Sequence, residues 1–242
     1  MSDSGGQSGG GKWGAAIGGG VVGAVLGALL IVAAGPKLFG ERIVREALLA
    51  HPEILVETSD ALHDRQYAPT LAASRRQIET PFHSSWKGAA KPDVTLAYFY
   101  DYACGYCRRS NPDIEKLLAE DKGLRVVYRE LPILGPSSIA ASRVALAASK
   151  AGRFAVFHDT MYATSAHPDE ASITAAAAAA GVPAMPAPDP EQEAELKANF
   201  AVAGQLGATG TPLFVVGDRV MNSAVGYDVL KQAIAAARKA KG

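Results

Sequence analysis

Residues 94–128 read VTLAYFYDYACGYCRRSNPDIEKLLAEDKGLRVVY, and this stretch decides the fold. Val94 to Tyr100 is a continuous apolar and aromatic run of strand length, the pattern of a strand buried on both faces. Cys104-Gly105-Tyr106-Cys107 follows after a short loop. Arg108 to Ala119 then carries Ile114, Leu117 and Leu118 on one helical face, and Gly123 ends that helix. Leu124 to Tyr128 reads as a second strand. Strand, helix, strand in this order predicts a βαβ unit with a parallel pair, and so an α/β fold.

Downstream, the chain from Ser137 to Gln205 is alanine-rich and helical in pattern. It breaks at Gly152, at His167-Pro168 and between Gly181 and Pro190. The segment is too long for a connection and predicts an inserted helical layer over about 137–205. Leu213 to Val216 and Arg219 to Met221 flank Gly217-Asp218, a tight-hairpin signal. A last helix, Gly226 to Lys239, ends in Arg238, Lys239 and Lys241, which suits the negative end of the helix dipole.

Upstream, residues 1–12 are Gly/Ser-rich and read as a disordered leader. From Trp13 to Pro36 the 24 residues include no charge. As a helix this span is about 36 Å long, enough to cross a bilayer core. It is read as a membrane anchor, with a cleaved signal segment as the alternative, since Val32 and Ala34 fit a small-residue cleavage pattern. Gly19, Gly23 and Gly27 share one face and permit close helix–helix approach in lipid. Lys37, Arg42 and Arg45 follow the span and only Lys12 precedes it, so the positive-inside rule opposes export of the C-terminal part. The cysteine pair Cys104 and Cys107 favours the opposite orientation, and it takes precedence.

Between the span and the domain, Glu41 to Gln66 has apolar residues at helical spacing, interrupted by Pro52. Two short helices are expected to meet near His51-Pro52. Such helices are marginal alone, so the neck packs on its own domain or on a second copy, through residues 41–66. Residues 67–91 hold Pro69, Pro81 and Gly88 and are read as a linker with one helical turn near Leu71–Gln77. The compact domain is expected over 92–242.

The chain has 242 residues, with 24 Lys+Arg against 24 Asp+Glu and zero net charge, which argues against a nucleic-acid partner. Its 48% hydrophobic content supplies one substantial core. The two cysteines cannot build a multi-bridge scaffold, nor a four-ligand zinc site, because the five histidines are scattered singly. Arg108 stands where c-type haem attachment needs a histidine. No metal and no cofactor is expected. A disulfide closing so small a loop would constrain the unfolded chain little. What remains is redox chemistry. The pair lies where a strand ends and a helix begins, and free N–H groups and the positive helix end stabilise a thiolate there. Cys104 is therefore the expected nucleophile and Cys107 the resolving thiol, with Gly105 and Tyr106 tuning the potential by contact with sulfur. Arg108 and Arg109 are read as a solvated helix face. Thr211-Pro212 precedes the hairpin, and sequence alone leaves its peptide isomer open.

Tyr102-Ala-Cys104-Gly-Tyr-Cys107, Tyr128-Arg-Glu-Leu-Pro-Ile-Leu-Gly-Pro136 and Gly210-Thr-Pro-Leu-Phe214 together resemble the DsbA-like thioredoxin-fold thiol:disulfide oxidoreductases. The neck Val44-Arg-Glu-Ala-Leu-Leu-Ala-His-Pro-Glu-Ile-Leu-Val56 extends the likeness to the branch holding the suppressor-of-copper-sensitivity protein C and the Com1-type outer-membrane proteins, where this region oligomerises. The resemblance implies a thioredoxin fold with a helical insert and a cis Pro212 packed beside the dithiol. It implies that Thr211 offers its backbone to an extended substrate, in β-augmentation. It implies an extracytoplasmic place, cysteine-containing exported proteins as substrates, and a membrane redox partner that resets the dithiol. Gly-Tyr between the cysteines, with Thr before the proline, leans toward disulfide shuffling. A copper-handling role, with the reduced dithiol holding soft Cu(I), is the alternative. Enzymes of this fold often carry a buried acid six residues before the first cysteine, and Tyr98 stands there. Glu130 is the candidate proton relay in its place, and Asp101 a second one.

Overall fold

The computed structural model describes residues 40–164 and 167–240. The chain divides into two compact units, residues 1–60 and 61–242. In the first, α1 (residues 40–50) ends at His51, and α2 (Glu53–Glu79) starts just after Pro52, as expected. A proline at a helix start loses no intrahelical bond. Ile43, Val44, Leu55 and Val56 are exposed, and Leu49 is 76% exposed. The expected span over 13–36 lies outside the described residues. Among the described residues no helix is long and apolar enough to cross a membrane.

The second unit is built on a five-stranded mixed sheet in the order β1-β3-β2-β4-β5. The strands are β1 (Trp86–Gly88), β2 (Val94–Tyr100), β3 (Leu124–Glu130), β4 (Leu213–Val216) and β5 (Arg219–Met221). β2 and β3 are parallel, from Val94 opposite Leu124 to Tyr100 opposite Glu130. The other pairings are antiparallel. Between β2 and β3 runs α3 (Gly105–Glu120), completing the expected βαβ unit. The helical insert is α4 (Pro136–Lys150), α5 (Phe154–Thr164), α6 (Glu170–Ala180) and α7 (Pro190–Gln205), and α8 (Tyr227–Lys239) closes the chain.

Side chains alternate across β2 and so feed two cores. Val94, Leu96, Tyr98 and Tyr100 pack with residues of α3, α4, α5, α6 and α8. Ala97 and Phe99 pack on the other side with Leu71, Ile78, Val202 and Leu206. Helices cover both faces, which explains why the strand reads as unbroken apolar sequence. The β4–β5 turn needs its glycine. Gly217 has φ 56°, and a Cβ there would come within 2.9 Å of Ala237 Cβ.

Residues 67–91 differ from the expected linker. α2 runs through Pro69 to Glu79 and buries Leu71 and Ile78, two turns apart on one face. That burial outweighs the bond the proline removes. Trp86–Gly88 joins the sheet edge as β1. The folded unit therefore begins well before residue 92.

At the C-terminal end of α2, Arg129 of β3 reaches across from the sheet, its side chain 2% exposed. Its guanidinium donates to the carbonyls of Gln77, Ile78 and Thr80 and to Glu195 of α7 at 2.6 Å. These carbonyls are among the groups a helix end leaves without intrahelical partners.

Candidate active site

Cys104 follows the carboxyl end of β2 and is itself the N-cap of α3. Its Sγ accepts the Cys107 N–H at 3.4 Å, as a Ser or Asp oxygen does at a conventional cap. Its thiol donates to the Thr211 carbonyl at 3.2 Å, and the Thr211–Pro212 peptide bond is cis. Both cysteines are free thiols; Cys104 is 6% exposed and Cys107 is fully buried.

The two thiols are driven apart electrostatically. The hydrogen bond from the Cys107 thiol pulls the Cys104 pKa down to about 5, helped by the Thr211 side chain and by the N–H groups of Cys107 and Tyr106 and opposed by burial. Burial, then the bond to Cys104, push the Cys107 thiol far above the ordinary range. At neutral pH this makes Cys104 a thiolate and keeps Cys107 protonated, the arrangement disulfide exchange needs. Tyr106 is 60% exposed beside the pair, with the Arg109 guanidinium 4.3 Å from its ring centroid. Gly105 lies between them in the first turn of α3, and Arg109 Nη1 is the nearest group to where its Cβ would be, at 3.8 Å.

The loop before Cys104 is organised by Asp101, which is fully buried. One carboxylate oxygen accepts the Ala103 N–H at 2.8 Å. The other accepts those of Ile133 at 2.8 Å and Leu134 at 2.9 Å. Asp101 thus ties the dithiol loop to the loop after β3. Tyr98, in the place of the usual buried acid, donates to the Cys107 carbonyl at 3.2 Å.

Glu130 ends β3 and is buried. Its carboxylate accepts from the Tyr100 hydroxyl and, at 2.6 Å, from Ser142 of α4; neither cysteine is a partner in these bonds. Burial raises its pKa to about 8, against the two hydrogen bonds that lower it. A raised folded-state value means that its stabilising effect is complete below the unfolded carboxylate pKa of about 4.3. The effect is lost as pH rises through about 8. Glu130→Gln, which cannot ionise, is expected to match the parent in thermal unfolding at about pH 4 and to melt higher than the parent at about pH 9. A parallel pair of melting-temperature curves across that range would sink this reading.

The profile described as DSBA-like thioredoxin domain matches residues 95–235, more than half of the chain. The chain is a member of the DsbA-like thioredoxin-domain family. A second profile, copper resistance protein ScsC N-terminal domain, matches residues 41–68 of this DsbA-like chain. The catalytic domain of Proteus mirabilis ScsC is similar, with TM-score 0.65 and 28% identity, covering 71% of this chain and 98% of that one. A thioredoxin-like oxidoreductase from Silicibacter pomeroyi DSS-3 matches with TM-score 0.63 and 35% identity, over 68% of this chain and 98% of that one. Proteus mirabilis ScsC in a transitional conformation matches with TM-score 0.66 and 29% identity, over 86% and 97%. Among curated proteins, Na(+)/H(+) antiporter NhaA 3 of Salinispora tropica is 33% identical over 86 residues. That match takes in 35% of this chain, which spans 13% of the antiporter's length.

Two residues of this DsbA-like domain escaped the sequence reading. Arg108 is not on a solvated face: its guanidinium lies 5.0 Å from the Tyr162 ring centroid and donates to the Tyr162 carbonyl. Tyr162, on α5, donates its hydroxyl to the Asp101 carbonyl at 3.2 Å. Nothing local in the sequence marks either, because the contact joins the first turn of α3 to a helix of the insert.

Proposed function

We propose that this chain is an extracytoplasmic thiol:disulfide oxidoreductase that forms, reduces and above all isomerises disulfides in exported proteins. The observation that carries it is the asymmetric thiol pair: a stabilised Cys104 beside Thr211, and a buried Cys107 behind it. The Cys104 thiolate attacks a substrate disulfide and forms a mixed disulfide, releasing the substrate's other sulfur as a thiolate. Cys107 then gives up its proton to the substrate thiolate released in the first step and attacks Cys104 Sγ, releasing the second substrate thiolate and leaving Cys104–Cys107 oxidised. Run backwards, the same steps oxidise a substrate dithiol. Thr211 and the cis Pro212 align the substrate chain as an added strand, and Gly105 and Tyr106 flank it. A relay from Glu130 passes in this reading through the Tyr100 hydroxyl bound to it.

Isomerisation calls for a second copy that keeps hold of the substrate, and exposed Ile43, Val44, Leu49, Leu55 and Val56 support self-association through residues 41–66. A membrane redox partner resets the dithiol, and residues 13–36 anchor the protein with its catalytic part in the periplasm, or serve as its export signal. The test is refolding of scrambled ribonuclease together with sizing of the fragment starting near Lys37. Isomerase activity from an oligomer is expected; an efficient monomeric oxidase would overturn the isomerase assignment. The match of residues 41–68 to a copper-resistance profile favours one second reading, Cu(I) binding by the reduced dithiol. Stoichiometric tight copper binding with negligible exchange activity would favour it.

A further inference from the structure

We propose that Tyr162 is a positioning residue for the dithiol, acting through the Asp101 backbone, and that Arg108 holds it in place. The contacts close a circuit. The Cys104 N–H donates to the Asp101 carbonyl at 3.0 Å, and the Tyr162 hydroxyl donates to that same carbonyl at 3.2 Å. The Arg108 guanidinium binds the Tyr162 carbonyl and lies over its ring, and the Arg108 backbone N–H returns to the Cys104 carbonyl at 3.0 Å. Both backbone polar groups of Cys104 therefore belong to one ring of hydrogen bonds that passes through the helical insert.

The effect on chemistry follows from where the sulfur sits. Cys104 is stabilised as a thiolate first by the Cys107 thiol and then by N–H groups of the first turn of α3, and that stabilisation falls off steeply with distance and angle. Holding the cysteine backbone at both ends keeps Sγ against those donors. Removing the tyrosine hydroxyl takes away the contact from α5 and leaves the Asp101 carbonyl held by the Cys104 N–H alone. The titratable and charged groups facing Tyr162 are Cys104, Cys107, Asp101, Glu130, Arg108 and His158, together with the buried Tyr98, Tyr100 and Tyr102. Tyr162→Phe adds or removes no charge among them, so any change in thiol titration comes from position.

The inference rests on the reading of Cys104 as the attacking thiolate. The test is the pH dependence of Cys104 alkylation by iodoacetamide in the full reduced chain, with thermal unfolding measured alongside. In Tyr162→Phe the midpoint is expected to rise by about one pH unit, a roughly tenfold slower reaction on its acid side, with little change in melting temperature. Arg108→Gln is expected to shift the midpoint the same way, and the double variant no further than the larger single shift, because both break one circuit. An unshifted midpoint in Tyr162→Phe overturns the proposal. Fully additive shifts overturn the part given to Arg108, which would then act by its charge alone. Should Tyr162→Phe fail to fold, an unshifted midpoint in Arg108→Gln overturns it instead. A parent midpoint in the ordinary thiol range would sink the functional reading itself, a result distinct from all of these.

Discussion

Replacing Cys104 by Ser is expected to abolish thiol–disulfide exchange, by on the order of a thousandfold or more, while leaving the fold intact. A serine hydroxyl can cap α3 as the sulfur does, but it ionises far outside the physiological range and does not attack disulfides. Replacing Cys107 has a different signature. Cys107→Ser keeps the nucleophile and removes the resolving thiol, so a substrate attached to Cys104 stays attached. A covalent adduct, collapsed by reductant and missing from the double serine variant, should appear on non-reducing gels. If Cys107→Ser forms no adduct with any disulfide substrate, Cys104 is not the attacking residue. The variants also separate the causes of the low Cys104 pKa, because its largest contribution is the Cys107 thiol itself. Serine can still donate to Cys104 and alanine cannot. The alkylation midpoint near about 5 should therefore survive better in Cys107→Ser than in Cys107→Ala.

The second large effect lies away from the sulfur. Arg129→Met is expected to cost about 3–5 kcal/mol, a fall in Tm on the order of 10 °C. Methionine fills much of the volume but donates nothing. The carbonyls of Gln77, Ile78 and Thr80 and the carboxylate of Glu195, 15% exposed, lose a donor where water has little access. The exposed pair Arg143–Glu193 serves as the control, because breaking it should cost less than about 1 kcal/mol. A Tm for Arg129→Met within a degree or two of the parent would show that the cap contributes nothing.

The catalytic half of the molecule was legible because its signals are local. β2 announces itself by an unbroken apolar run, the hairpin by Gly217-Asp218, and the start of α3 by the cysteines that cap it. The resemblance added the alignment of Thr211-Pro212 with the dithiol, and the structure sets the Thr211 carbonyl against Cys104. What stayed hidden depends on distant partners. α2 reads as broken at Pro69 until its apolar face meets Phe99 and Val202. β1 has three residues and no periodicity of its own, so only its pairing with β3 defines it. Glu130 stood out in the sequence only as a candidate proton relay at the end of a strand; its burial and its hydrogen-bonded company, Tyr100 and Ser142 rather than a cysteine, were not legible.

The short border strands of the sheet have a consequence for a protein of this kind. β1 and β5 close the two sides of the sheet with three residues each. Unpaired backbone on a long border strand invites any extended chain to join, which is how aggregation begins. An oxidoreductase that exchanges disulfides with incompletely folded chains would be unusually prone to being trapped by them. With its borders cut so short, the sheet leaves an extended chain little backbone to pair with. Resistance to clogging then arises from this economy of exposed backbone.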